Sequence, residues 1–255
     1  LEDMTDMFVG TNFDKSSLRN WNISKLAKQL FTKCVEGSKD EVIMYLKKGA
    51  IIDWENKKGQ TPLYISCCAG HVDVVRLLLE KGANVDATNK NGATPLYIAC
   101  QNGHVDVARL LLLEHGADVD LARDTGATPL YMACQNGHVD AARLLLEHGA
   151  KVDKTYKYGF TPLYIACQKG HVDAAKLLLN NGAEVDRANN KDGATPLFIA
   201  CQNGQVDAAR LLLEKGVDVD LARNTGATPL YIACQKGYVD VVQLLLEKGA
   251  AVNRP

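Results

Sequence analysis

Six copies of one tripeptide constrain this chain more than any other feature. Thr-Pro-Leu begins at Thr61, Thr94, Thr128, Thr161, Thr195 and Thr228, at spacings of 33, 34, 33, 34 and 33 residues. Six of the 7 prolines lie in these tripeptides, and the seventh is the final residue. A fixed period of this length marks a repeat architecture. One such unit cannot bury its own apolar face and needs a neighbour on which to stack. The two longer periods have visible causes: one extra leucine within Leu110–Leu113 and one extra residue near Asn189–Asn190.

The local chemistry of one unit predicts its shape. Thr128 offers an N-cap hydroxyl, and Pro129 sits at the first helical position, where its missing N–H costs nothing. Leu130, Ala133 and Cys134 fall on one face at i, i+3 and i+4, and Gly137 ends the helix. Val139–Glu147 predicts a second helix with Val139, Ala142, Leu145 and Leu146 as its stripe, stopped by Gly149. Residues 151–159 read as a polar turn with extended flanks. Each unit is therefore a helix pair joined to the next by a β-turn, and the chain is an all-α repeat solenoid. The inserted leucine turns later residues by about 100° around the helix. A π-type bulge or an extended final turn before Gly116 is expected to absorb it.

Composition excludes several function classes. The chain has 255 residues, with Lys+Arg 29 against Asp+Glu 30, a net charge of −1. Binding to nucleic acid or an anionic membrane needs an excess of cations, so neither is expected. No apolar run approaches the roughly 18–20 residues of a bilayer span. The first residues lack a basic stretch followed by an apolar core, so they give no sign of a signal peptide.

Gly-x-Thr-Pro-Leu, Ala-x-x-Gly-His and Leu-Leu-Leu-x-x-Gly-Ala-x-Val recur together through residues 54–255. In this the chain resembles the ankyrin repeat, which implies six such units here. Two departures recur. Tyr64, Tyr97, Tyr131, Tyr164, Phe198 and Tyr231 replace the usual histidine after Thr-Pro-Leu. Cys67, Cys100, Cys134, Cys167, Cys201 and Cys234 replace the second alanine of the usual pair. Residues 25–53 keep Cys34, Gly37 and Gly49-Ala50 in phase and carry charge on the outer helix (Lys39, Asp40, Lys47, Lys48). They read as a degenerate capping unit. Residues 1–24, with Met4, Met7, Phe8, Phe13, Leu18, Trp21 and Ile23, resemble one unit of the BspA-like leucine-rich repeats, or form an N-terminal extension. At the far end Val241, Val242 and Leu244–Leu246 stay as apolar as in an internal unit. The array is therefore expected to be cut there, or its face to meet another molecule.

The chemistry-bearing residues repeat with the period, which argues for scaffold. Six cysteines share one place per unit, and stacked helices lie about 8–10 Å apart. Disulfides need Cα atoms within about 7 Å. Free, buried thiols are expected, and with them a reducing compartment, cytoplasmic or otherwise intracellular. Cys100/His104, Cys134/His138 and Cys167/His171 have ligand-like spacing. However, the histidines belong to the repeated Gly-His, and Gln205 and Tyr238 replace them later. No metal or cofactor is expected. An enzyme needs a unique constellation, and none is visible, so the chain reads as non-catalytic.

The resemblance implies that a protein or peptide binds the concave face and the β-turn fingers. Carried over position by position, the finger residues are Lys57, Lys58 and Gln60, then Lys90 and Asn91, then Asp124 and Thr125. The later fingers supply Lys157, Tyr158 and Phe160, then Lys191 and Asp192, then Asn224 and Thr225. The helix positions are Gln101 and Asn102, Gln135 and Asn136, Gln168 and Lys169, Gln202 and Asn203, and Gln235 and Lys236. Within this row Tyr156, Tyr158 and Phe160 stand out. Four other units carry alanine at the place of Phe160, and three aromatics at i, i+2 and i+4 share one side of an extended segment. Two readings of Phe160 stay open: a binding hot spot, or packing against Tyr164. Two rival functions also stay open. One is self-association through a C-terminal face around Val241 and Leu245. The other is a purely architectural scaffold, natural or engineered, with no foreign ligand.

Overall fold

The computed structural model describes residues 15–252, with side chains from Ser24 onward. Among these residues fourteen helices form seven pairs: α1 (Lys15–Glu36) with α2 (Lys39–Lys47), α3 (Pro62–Ala69) with α4 (Val72–Glu80), and α5 (Pro95–Asn102) with α6 (Val105–His115). The pairs α7 (Pro129–Gln135) with α8 (Val139–Glu147) and α9 (Pro162–Lys169) with α10 (Val172–Asn180) follow. The last two are α11 (Pro196–Gln202) with α12 (Val206–Glu214) and α13 (Pro229–Lys236) with α14 (Val239–Glu247). Odd helices stack on odd and even on even, which makes the two-layered solenoid that the period predicts. The odd helices approach one another more closely than the even ones. Fully buried Ala99, Cys100, Ala133, Cys134, Ala166 and Cys167 are small enough to permit it.

Each repeated helix starts as its sequence dictates. Thr61 Oγ1 accepts the Tyr64 amide at 3.1 Å, and the same cap recurs at Thr94, Thr128, Thr161, Thr195 and Thr228. Such a cap is worth about 1 kcal/mol. All six threonines are buried, so an uncapped amide there would also lack water. The inserted leucine ends as an extended final turn. α6 has 11 residues where α4 has 9. Leu110 and Leu111 keep the buried places of Leu77 and Leu78, and the surplus falls on Leu113, which is 55% exposed. The Gly116 amide then bonds the Leu111 carbonyl, five residues back.

Polar ties join unit to unit. Nε2 of His71, His104 and His171 lies 2.9, 3.1 and 3.2 Å from the carbonyls of Val35, Cys68 and Gln135 in the preceding unit. A carbonyl only accepts, so Nε2 carries the proton. The Cys-x-x-x-His spacing thus separates its members: Cys100 lies fully buried in the core while His104 holds the backbone of Cys68. Cys34, Cys67, Cys100, Cys134, Cys167 and Cys201 are free and buried, and burial pushes the Cys34 and Cys201 thiols up to about 12. Cys234 is exposed, because no described unit follows α13.

A second set of ties uses the periodic aspartates. Asp53, Asp86, Asp120, Asp153, Asp186 and Asp220 accept the backbone amides of Asn84, Asp118, Lys151, Glu184, Asp218 and Ala251. Burial raises the carboxyl pKa of Asp86, Asp153 and Asp186 above the ordinary value. Oδ1 of Asp153 and of Asp186 is buried without a partner. A raised native pKa means that the group's contribution is fully present below the ordinary carboxylate pKa and is lost as pH rises through the raised one. At pH 7 both carboxylates therefore cost stability. The double variant Asp153→Asn/Asp186→Asn keeps an acceptor for each amide and removes the charge. Its thermal midpoint is expected to rise by about 2 °C at pH 7 and to match the parent near pH 3.5. A fall at pH 7 would show that the charge itself holds the tie.

One helix start and one exposed face differ from what the sequence implies. α1 runs unbroken from Lys15, across the division placed between residues 24 and 25. Leu18, Trp21 and Ile23 lie in that helix, whereas Met4, Met7, Phe8 and Phe13 lie outside the described residues. In the last unit Val241 and Leu245 were expected to carry an open apolar face. Both are fully buried. Helical periodicity turns them inward, and the exposed apolar residues are Tyr231, Tyr238, Val239, Leu246 and Val252 instead. Among the described residues no helix is long and apolar enough to cross a membrane.

Candidate functional site

The turns between units form a row of six fingers. Finger 1 is residues 56–60, finger 2 is 89–93, finger 3 is 123–127, finger 4 is 156–160, finger 5 is 189–194 and finger 6 is 223–227. The extra residue near Asn189–Asn190 lengthens finger 5 and leaves its flanking helices untouched. Each finger is closed from its first amide to its last carbonyl, as in Tyr156 N to Phe160 O at 2.8 Å. Backbone bonds then run from finger to finger: Lys90 to Lys58, Asp124 to Asn91, Lys157 to Thr125, Asn190 to Tyr158 and Asn224 to Asp192. The row is a continuous ladder, so every tip is fixed by its neighbours.

The first position of each finger decides how the turn is held. Oδ1 of Asn56, Asn89 and Asn189 accepts two amides of its own finger. This is an Asx-type turn. Fingers 3, 4 and 6 carry Arg123, Tyr156 and Arg223 there and lack that cap. In finger 4 the Tyr156 ring lies 5.0 Å from Tyr131 and 6.4 Å from Phe160, and Phe160 lies 4.9 Å from Tyr164. Four rings thus run between two odd helices. Pairs at these separations are worth about 0.5–1.5 kcal/mol beyond their burial.

The expected single-sided trio is not what forms. Residues 157–159 make a 3-10 turn, not an extended segment, so Tyr156 and Phe160 come together and Tyr158 goes to the tip. Tyr158 has φ 62° and ψ 22°, the one left-handed non-glycine among the described residues. It is 52% exposed, with the Lys157 ammonium 4.7 Å from its ring centroid. Phe160 packs on Tyr164, the second of its two sequence readings.

Beside this cluster lies a groove of about 390 Å³ between fingers 3 and 4 and helices α5, α7 and α9. Tyr131, Tyr156, Met132 and Ile165 supply its apolar wall. Gln101, Gln135 and Gln168 line it from three successive odd helices. Its charged residues are Arg123 and Lys169, both cations. Arg123 Nε is buried and has no hydrogen-bond partner. Of the groove's lining, the three glutamines, Thr125, Tyr156 and Lys169 are among the binding positions named from the sequence, and Tyr97, Arg123, Ala127, Tyr131, Met132 and Ile165 are not. A signal for Arg123 was present, because it breaks the run of asparagines at the first finger position.

The remaining positions divide into open and engaged side chains. Lys57, Lys58, Lys90, Asn91, Asp124, Lys191, Asn224, Thr225, Gln235 and Lys236 are exposed. Gln202 is partly buried. Asn102, Asn136 and Asn203 donate to the carbonyls of Cys68, Gln101 and Ile199, at 2.8, 2.9 and 2.8 Å, so they hold backbone in place. Gln60 accepts from Asn56 within finger 1. Asp192 accepts from Asn189 and pairs with Arg223.

The family model described as Ankyrin repeats matches the chain in three copies, over residues 30–123, 112–189 and 186–255. No curated protein matches the chain.

Proposed function

Since the chain belongs to the ankyrin-repeat family, we propose that it binds a protein or peptide on its finger row and on the neighbouring face of the odd helices. Ankyrin repeats are generally protein–protein interaction modules and typically non-catalytic, so the question is where this chain binds. The carrying observation is the groove between fingers 3 and 4. It gathers aromatic, amide and cationic side chains beside the exposed Tyr158, a composition typical of binding hot spots. Elsewhere the finger side chains are exposed polar residues without an aromatic neighbour, or they tie one unit to another.

Capture from cell lysate, compared across variants, tests this reading. Tyr158→Ala/Lys169→Ala alters the rim of the groove at exposed positions, and Arg143→Ala/Lys176→Ala alters the even helices instead. A partner is expected to be held by the parent and the second variant and to fall at least tenfold with the first. Equal retention by all three would place binding off this face. A second reading has its own observation: Tyr231, Val239 and Leu246 are 46%, 72% and 45% exposed on the last unit. Self-association there predicts a concentration-dependent dimer in sedimentation velocity, abolished by Val239→Asp.

A further inference from the structure

From the internal comparison of Arg123 with Arg223, we infer that the groove binds an extended peptide carrying an Asp or Glu side chain, received by Arg123. This rests on the binding reading above and specifies the partner's chemistry. Arg223 occupies the same finger position as Arg123, and its needs are met inside the chain. Its Nη1 lies 3.5 Å from Asp192 Oδ2 on the preceding finger. Its Nε donates to Thr225 Oγ1 at 2.9 Å, and its guanidinium sits 5.3 Å from the centroid of Phe198.

At Arg123 the acid is missing. The preceding finger offers Asn91 where Arg223 meets Asp192. Nε of Arg123 stays buried and unpaired, although Thr125 stands where Thr225 does. The nearest acid in sequence, Asp124, lays its carboxylate over Gly92 of finger 2. No carboxylate lines the groove, and its second charge, Lys169, is also a cation. A guanidinium N–H that finds no acceptor inside the chain is unfavourable and favours a ligand that supplies one. A carboxylate is the acceptor whose planar geometry matches guanidinium. The partner is therefore expected to bring the acid that Asp192 supplies to Arg223.

The amides indicate an extended backbone. Gln101, Gln135 and Gln168 stand on helices stacked about 8–10 Å apart, the length of roughly three extended residues. Each presents a donor and an acceptor, so the row can bond a peptide main chain while Arg123 selects one side chain and Tyr156 with Met132 takes an apolar neighbour.

A phage-displayed library of random 12-residue peptides, panned on the full chain, supplies the probe. Recovered peptides, fluorescently labelled, are titrated against the parent, Arg123→Gln, Arg123→Lys and Gln135→Ala/Gln168→Ala, each checked for parental helicity by circular dichroism. Each peptide is also made with its acid changed to the amide. The expected result is a shared Asp or Glu, affinity at least tenfold weaker for Arg123→Gln and partly kept by Arg123→Lys. The amide peptide should bind the parent and Arg123→Gln alike. Should Arg123→Gln fail to fold, Arg123→Lys and the amide peptide carry the comparison. Peptides weakened by the glutamine variant yet without a shared acid, or indifferent to Arg123, would overturn this inference and leave the binding reading standing. Peptides indifferent to every variant, or no recovered peptides, would overturn both.

Discussion

Leu163→Ala is expected to cost about 3 kcal/mol and to split a single unfolding transition in two. Leu163 is fully buried in α9, in the middle of the array. Removing a buried leucine to alanine loses its transfer energy and leaves a cavity, at roughly 2–5 kcal/mol. In a solenoid this loss falls on one unit and its two interfaces, and stability is close to a sum of unit and nearest-neighbour terms. The units before and after the weak link then melt on their own. Urea denaturation followed by circular dichroism reads both effects. Leu113→Ala is the control: this leucine is 55% exposed, so the change should stay within about 0.5 kcal/mol. A single transition that is shifted but not split for Leu163→Ala would show that coupling along the array exceeds the unit terms.

Gly59→Ala is the second substitution with a large expected effect, and Gly82→Ala shows why. Both glycines have positive φ, 73° and 88°. An alanine in that region costs roughly 1–2 kcal/mol by strain alone. At Gly82 nothing lies within 4 Å of an added Cβ. At Gly59 the added Cβ would sit 2.7 Å from the backbone nitrogen of Lys90, which donates to the Lys58 carbonyl at 3.1 Å. That neighbour is main chain and cannot turn aside. Gly59→Ala therefore adds the loss of a ladder bond, about 1 kcal/mol, and a displaced second finger. Its total is expected at about 3 kcal/mol against about 1–2 for Gly82→Ala, measured by the same denaturation. Amide exchange at Lys90 is expected to accelerate in Gly59→Ala and not in Gly82→Ala. Equal costs and equal exchange would mean that the finger ladder contributes little to the fold.

Much of the fold was legible because its determinants are local. A threonine hydroxyl caps an amide three residues on, a proline fixes the first helical turn, and leucines three and four apart share a face. Repetition supplied the rest: a unit that recurs with its apolar face intact must stack on itself. Even the inserted leucine was readable, since α6 had only to lengthen and let Leu113 face water. The site was less legible. The spacing of Tyr156, Tyr158 and Phe160 implies an extended segment with three rings on one side, whereas the ladder from finger 3 imposes a tight turn that separates Tyr158 from the other two.

What the sequence alone determined, then, is the unit, its count, its phase and the buried thiols, all set by contacts within a few residues or by strict periodicity. What only the tertiary structure decided is which side chains of different units meet. Tyr156 stacks on Tyr131 because finger 4 lies on α7. Arg223 finds Asp192 while Arg123 finds no acid, because each finger tip is aligned by backbone bonds to the finger before it. Val241 and Leu245 turn inward, and Cys234 stays open, because exposure depends on whether a neighbouring unit covers the face. These are relations between units about 33 residues apart, and no local pattern encodes them.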